Sequence, residues 1–196
     1  MSLPNLVTLP RLALLPYFVW LLAQPGHRDW FAASVLLAAL GFTDWLDGQL
    51  ARRLGQVTRL GKVLDPTADR ALLATAVIGI LVVGAVPPAI AWAAIAREAL
   101  VAGAAVGLAL AGARRVDVTL VGKAGTFGLM CALPLFLAGH STVSWHHAAL
   151  VLAWATGVAG LALSWASVAF YLPLARAALA ARAKASERLT AGRGPG

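Results

Sequence analysis

The sequence predicts an all-α, polytopic integral membrane protein with six transmembrane helices and both termini cytoplasmic. Three observations predict it. The 196 residues are 60% hydrophobic and only 12% charged, with a mean hydropathy of +0.80. The apolar residues gather in six runs of roughly membrane-spanning length, at about 6–23, 30–47, 63–83, 87–112, 118–138 and 148–173. Basic residues load every second connection between those runs. Such a composition excludes a water-facing globular domain.

The first run lacks a basic leader and a small-x-small cleavage site, and Pro4, Asn5 and Thr8 precede its apolar part, so a retained helix is expected rather than a signal peptide. The second supplies about fourteen apolar residues before Asp44, too few to cross alone, so its helix should continue through DWLDGQLARRL toward Leu54. After a reversing segment that contains Gly55, the third run begins. Pro66 fits the first turn of a helix starting just before it; a start at Gly61 would make it a kink. The fourth run carries Arg97 and Glu98 near its middle, where an unpaired charge is costly. A cavity-facing position is expected, with a structural ion pair as the alternative. Cys131 in the fifth run has no intrachain partner and reads as a small core residue. The sixth run passes into an Ala/Arg-rich stretch, giving one membrane domain over 1–175 and a basic cytoplasmic tail over 176–196, helical at first and frayed at TAGRGPG.

Orientation follows from the connections. Arg52, Arg53, Arg59 and Lys62 crowd the second, Arg114, Arg115 and Lys123 the fourth, and Arg176, Arg182, Lys184, Arg188 and Arg193 the tail, whereas the odd-numbered connections hold only Arg28. This places His27, His140, His146 and His147 on the far side as polar loop residues, away from the acids, so a His/carboxylate zinc site is not expected. The net charge of +8 is spread over connections and tail rather than one face, which argues against a nucleic-acid partner.

Four of the eight acidic residues lie between Asp44 and Asp69. Asp44, Asp47, Gly48, Ala51 and Arg52 form one helical stripe, and Gly61, Asp65 and Asp69 a second; a reversal between them lets the two acidic pairs converge on a cytoplasm-open cavity. Four carboxylates in one site repel unless divalent cations are present, and oxygen-only ligands suit two Mg²⁺ or Mn²⁺ ions, the usual clamp for in-line displacement at phosphorus. The interleaved Gly48, Ala51 and Gly61 let a bulky group lie against helix backbone, and Arg52 offers a fork for phosphate. The composition reads as a phosphate-ester site.

The pattern Asp-x2-Asp-Gly-x2-Ala-Arg-x8-Gly-x3-Asp-x3-Asp, met at every position, resembles the signature of the CDP-alcohol phosphatidyltransferase family. LPNLVTLPRL at the start, DPTADR, AREAL at 96–100 and VGKAGTF at 121–127 are similar to its bacterial phosphatidylglycerophosphate and cardiolipin synthases, in an actinobacterial-like form, and the likeness runs to about residue 175. The resemblance implies that Asp44, Asp47, Asp65 and Asp69 hold a dinuclear metal centre and that Gly48, Ala51, Arg52 and Gly61 line the CDP pocket. It also implies that Asp69 is the base for the acceptor hydroxyl and that the chain is a homodimer in the cell membrane. Asn5, Thr8 and Arg11 match polar positions that approach the diphosphate, with capping and topogenic roles as the alternative.

The donor implied is CDP-diacylglycerol, and the acceptor a glycerol-type alcohol. Arg97, Arg114, Arg115 and Lys123 are the candidate acceptor residues. Many phosphatidylglycerophosphate synthases carry Gly-Lys-x-Lys-Thr at the fifth helix, whereas here Gly125 replaces the second lysine. Glycerol 3-phosphate is expected first and phosphatidylglycerol second, with inositol phosphate behind. Two readings of other classes stand further off: a cation transporter or channel, opposed by Arg52 beside the acids and by the lack of further acids toward the far side, and an inert lipid-binding scaffold, opposed by the complete set of four acids.

Overall fold

Apolar Ala/Leu-rich runs with punctuating Gly and Pro dictate helices joined by short links, and the computed structural model contains six among the described residues: α1 (Leu3–Ala23), α2 (Trp30–Leu54), α3 (Gly61–Val82), α4 (Pro88–Leu110), α5 (Leu120–Gly139) and α6 (His146–Ala191). It describes the backbone of residues 3–24, 26, 28–54, 61–110 and 120–191, and the side chains of 10, 13–24, 26, 28–43, 46, 72–104, 107 and 120–169. No strand occurs among the described residues.

The helix ends have local causes. Asp29 caps α2, its Oδ1 accepting from the Ala32 N–H at 2.8 Å. Arg28 Nε donates to the Leu22 carbonyl at 3.0 Å, filling an acceptor that the end of α1 would leave open. Gly84, at φ +75°, closes α3: its N–H bonds the Leu81 carbonyl and that of Ala85 the Ile80 carbonyl, both at 3.0 Å. Pro88 then opens α4, where its missing N–H costs nothing.

The helices pack as a ring in the order α1, α2, α5, α6, α4, α3, with α3 also touching α5 across the middle. Phe18, Leu37, Leu72, Ile80, Leu133 and Phe136 fill the shared core. α5 and α6 approach most closely, through glycine: a Cβ added at Gly128 would lie 2.9 Å from the Gly160 Cα. Small residues that let backbones meet are the usual means of joining apolar helices. Large apolar side chains face outward all round, Trp20, Trp92, Leu120 and Val151 among them, as lipid contact requires.

Among the described residues two helical stretches, Leu120–Gly139 and His146–Ala169, are long and apolar enough to cross a membrane; Ala13–Ala23, Trp30–Thr43 and Leu72–Val82 are shorter apolar stretches. The continuation of the second helix through the acidic motif to Leu54 agrees with expectation. Two details differ. α3 starts at Gly61, so Pro66 lies beyond its first turn, where it removes an intrahelical hydrogen bond. His146 and His147 open α6 instead of lying in a loop, with the His146 ring Nδ1 2.8 Å from the Val143 carbonyl oxygen. α6 runs for 46 residues to Ala191, in keeping with a tail that is helical at first.

Candidate active site

Contacts in the described part of the bundle fix which ends of the helices meet. Ser34 Oγ donates to the Pro134 carbonyl at 2.7 Å, and the Cβ position of Gly41 lies 3.4 Å from the Met130 methyl, so α2 and α5 run antiparallel. The Cβ position of Gly79 lies 3.1 Å from Leu22 and 3.8 Å from Phe18, so the late turns of α1 and α3 lie together, and with each helix joined to α2 through a short connection the two run parallel. Leu37 and Gly41 of α2, Leu72, Leu73 and Ala76 of α3, and Met130 and Leu133 of α5 line one small apolar recess.

That recess lies one turn from the acids. Asp44 follows Gly41 by three residues on α2, and Asp69 precedes Leu72 by three on α3. The acidic segments therefore leave the same three-helix corner toward the same end. Along α2, Asp44 and Asp47 are separated by about 60° and ~4.5 Å; along α3, Asp65 and Asp69 by about 40° and ~6 Å. Each pair occupies one face of its helix. The side chains of all four, like those of Gly48, Ala51, Arg52 and Gly61, lie outside the described residues.

The parallel register of α1 and α3 carries Arg11, Thr8 and Asn5 to about the levels of 68–72, 65–69 and 62–66, alongside the acidic half of α3. Their side chains also lie outside the described residues. The antiparallel register of α2 and α5 brings the first turn of α5, with exposed Lys123, to the level of the Asp47–Ala51 segment. Arg114 and Arg115 lie outside the described residues.

Arg97 is 7% exposed, at mid-depth on α4, and its guanidinium contacts the Glu98 carboxylate at 2.9 Å. The alternative of a structural ion pair is thus present. The pair does not use up the guanidinium: Nε is buried with no partner among the described residues, an uncompensated donor in an apolar span.

Gly125 departs most from expectation. The resemblance sets it where many relatives carry a lysine, yet it is buried, and a Cβ there would lie 2.5 Å from both the backbone N and the Oγ of Ser164 and 2.8 Å from the Gly160 carbonyl oxygen. A side chain at 125 needs α5 and α6 to part. Sequence reasoning missed this seam and the buried Ser34–Pro134 bond. The signal for the seam was available as Gly125-x2-Gly128 facing Gly157-x2-Gly160-x3-Ser164, small residues at helical spacing.

The donor set suits a divalent metal: two carboxylate pairs on adjacent helices at one end, all oxygen, with no described histidine at that end. The chain is 37% identical over 171 residues to a protein of Mycobacterium tuberculosis called a putative cardiolipin synthase, covering 87% of this chain and 81% of that one. It is 34% identical over 175 residues to the cardiolipin synthase (CMP-forming) of Streptomyces coelicolor, with 88% and 81% covered. Identity to the CDP-diacylglycerol–glycerol-3-phosphate 3-phosphatidyltransferase of Pseudomonas fluorescens reaches 46%, over 78 residues and 40% of each chain. The family model described as CDP-alcohol phosphatidyltransferase matches residues 1–173, and with that span matched the chain belongs to this family.

Proposed function

We propose that the chain transfers the phosphatidyl group of CDP-diacylglycerol to phosphatidylglycerol, forming cardiolipin and CMP, at the cytoplasmic face of a cell membrane that it crosses six times. Asp44, Asp47, Asp65 and Asp69 would hold two Mg²⁺ or Mn²⁺ ions, which when bound neutralise the diphosphate and polarise the phosphorus under attack. Gly48, Ala51 and Gly61 leave backbone bare for the nucleotide, and Arg52 binds its phosphates. Asn5, Thr8 and Arg11, at the level of the acidic half of α3, supply further donors to the diphosphate. Asp69 takes the proton from the acceptor hydroxyl, whose oxygen forms the new bond to the phosphorus bearing diacylglycerol as the bond to CMP breaks.

The observation that carries the choice of acceptor is the burial of Gly125 against the Ser164 backbone. The resemblance assigns a second lysine at this position to enzymes that hold the phosphomonoester dianion of glycerol 3-phosphate, and this packing has no room for one. A phosphodiester with a single negative charge asks less of the first turns of α5, where Lys123 is available. Similarity along most of the chain to proteins called cardiolipin synthases supports the same choice. Glycerol 3-phosphate is the second reading, favoured by the higher local identity to the glycerol-3-phosphate transferase. Arg97, Arg114, Arg115 and Lys123 would then supply the charge.

The homodimer is proposed to use α4, where Gly103 and Gly107 are exposed at Gly-x3-Gly spacing with nothing within 4 Å of their Cβ positions. The deciding experiment for the reaction offers each alcohol separately to purified protein with CDP-diacylglycerol and Mg²⁺, following CMP release and lipid product. Cardiolipin from phosphatidylglycerol supports the proposal. Turnover with glycerol 3-phosphate and none with phosphatidylglycerol overturns the choice of acceptor.

A further inference from the structure

α6 is twice the length that its partners need. The other helices have at most 25 residues, whereas α6 has 46, about 69 Å of helix. Its register with α5 is fixed at three points: Gly125 against Ser164, Gly128 against Gly160 and Gly139 against Leu150. The same register sets Leu120, the first residue of α5, opposite 168–169. Everything beyond Ala169, about 22 residues and ~33 Å, continues past the start of α5. Because α2 runs antiparallel to α5, this is also the end carrying the acidic motif.

The composition of α6 changes at that point. His146–Ala169 has no charged residue outside its opening histidines, whereas the extension carries Arg176, Arg182, Lys184 and Arg188 against one acid, Glu187. On the helix, Arg176, Lys184 and Arg188 fall within about 120° of arc that also holds Glu187, and Leu172, Leu174, Leu179 and Leu189 lie outside that arc, with Arg182 among them. Four basic residues against one acid, next to the end of a membrane-length apolar stretch, are the pattern of a segment drawn to an anionic membrane surface, and the long Arg182 side chain can reach out of the leucine-bearing side. Pro173 stands at the junction between the two halves, the place where a helix bends most readily. Topogenic charge alone needs only a few basic residues close to the membrane, yet Lys184 and Arg188 lie ~23 and ~29 Å along the helix from Ala169.

We propose that the second half of α6, 174–191, is a surface arm that binds the anionic phosphoglyceride headgroups of the leaflet at the acidic end of the bundle, held there by Arg176, Lys184 and Arg188. The proposal does not depend on which acceptor the enzyme uses. The arm enriches anionic lipid beside the site, and its grip is electrostatic and reversible, because alanine contributes little apolar area.

The test is limited trypsin cleavage after Arg182, followed by mass spectrometry, on the full chain in vesicles of zwitterionic lipid and in vesicles with about one third phosphatidylglycerol. The expected result is cleavage slowed roughly tenfold or more in the anionic vesicles, restored by high salt. The slowing should be absent in R176Q/K184Q/R188Q, whose CMP release shows that the bundle is intact; should that variant fail to insert, reversal by salt in the wild type decides alone. Equal rates in both vesicles would overturn the proposal by showing an arm in water. Protection in zwitterionic vesicles would overturn it in favour of packing on protein. Equal protection by an added oligonucleotide in neutral vesicles would overturn it in favour of a general polyanion site.

Discussion

Gly125→Ala should weaken the bundle where a similar change one helix away does not. The added methyl would sit 2.5 Å from the Ser164 N and Oγ and 2.8 Å from the Gly160 carbonyl oxygen, whereas ordinary contact begins near 3.4 Å. The two backbones must therefore separate by roughly 1 Å, at an overpacking cost of about 1–3 kcal/mol. The opening also loses dispersion at Gly128 against Gly160 next along the seam. Alanine's better helix propensity returns at most about 1 kcal/mol. At Gly157 the same methyl would meet the Ala132 Cβ at 3.4 Å and the Phe136 ring at 3.5 Å, which is normal packing, so Gly157→Ala keeps the propensity gain without the clash. A gap of about 2 kcal/mol between the variants corresponds to roughly 4–8 °C in melting temperature for a chain of this size. Thermal unfolding in micelles, read by circular dichroism and by alkylation of the half-buried Cys131 on α5, measures it. Ser164→Gly should not rescue Gly125→Ala, because the backbone N is as close as the hydroxyl. Equal melting of Gly125→Ala and Gly157→Ala would refute the seam and, with it, the structural argument for the acceptor.

Activity should vanish with a chelator and return with Mg²⁺ or Mn²⁺, and Asp44→Asn or Asp65→Asn should lower turnover by several orders of magnitude in the CMP-release assay. Asp69→Asn should abolish transfer while CDP-diacylglycerol still binds; loss of donor binding as complete as in Asp44→Asn would reduce Asp69 to a metal ligand. Lys123→Ala should raise the Michaelis constant for the acceptor roughly tenfold with little change for CDP-diacylglycerol, and an equal effect on both substrates would remove it from the acceptor site. Gly103→Ile together with Gly107→Ile should shift a cross-linkable dimer toward monomer, and an unchanged cross-linking pattern would move the interface off α4.

The sequence by itself determined the all-helical class, the family and the spacing of the four aspartates along two helices, because these depend on composition and on spacing within single helices. Asp44 with Asp47, and Asp65 with Asp69, are close whatever the rest of the chain does, since 3.6 residues make one turn. Contacts between helices were a different matter. That Gly125 faces Ser164, that Ser34 bonds the Pro134 carbonyl and that α3 packs on both α1 and α5 were decided only by tertiary structure. The physical reason is that helices in an apolar medium are paired by close contact between small residues and by single bonds such as Ser34 to Pro134, and sequence periodicity does not say which helix will supply the partner.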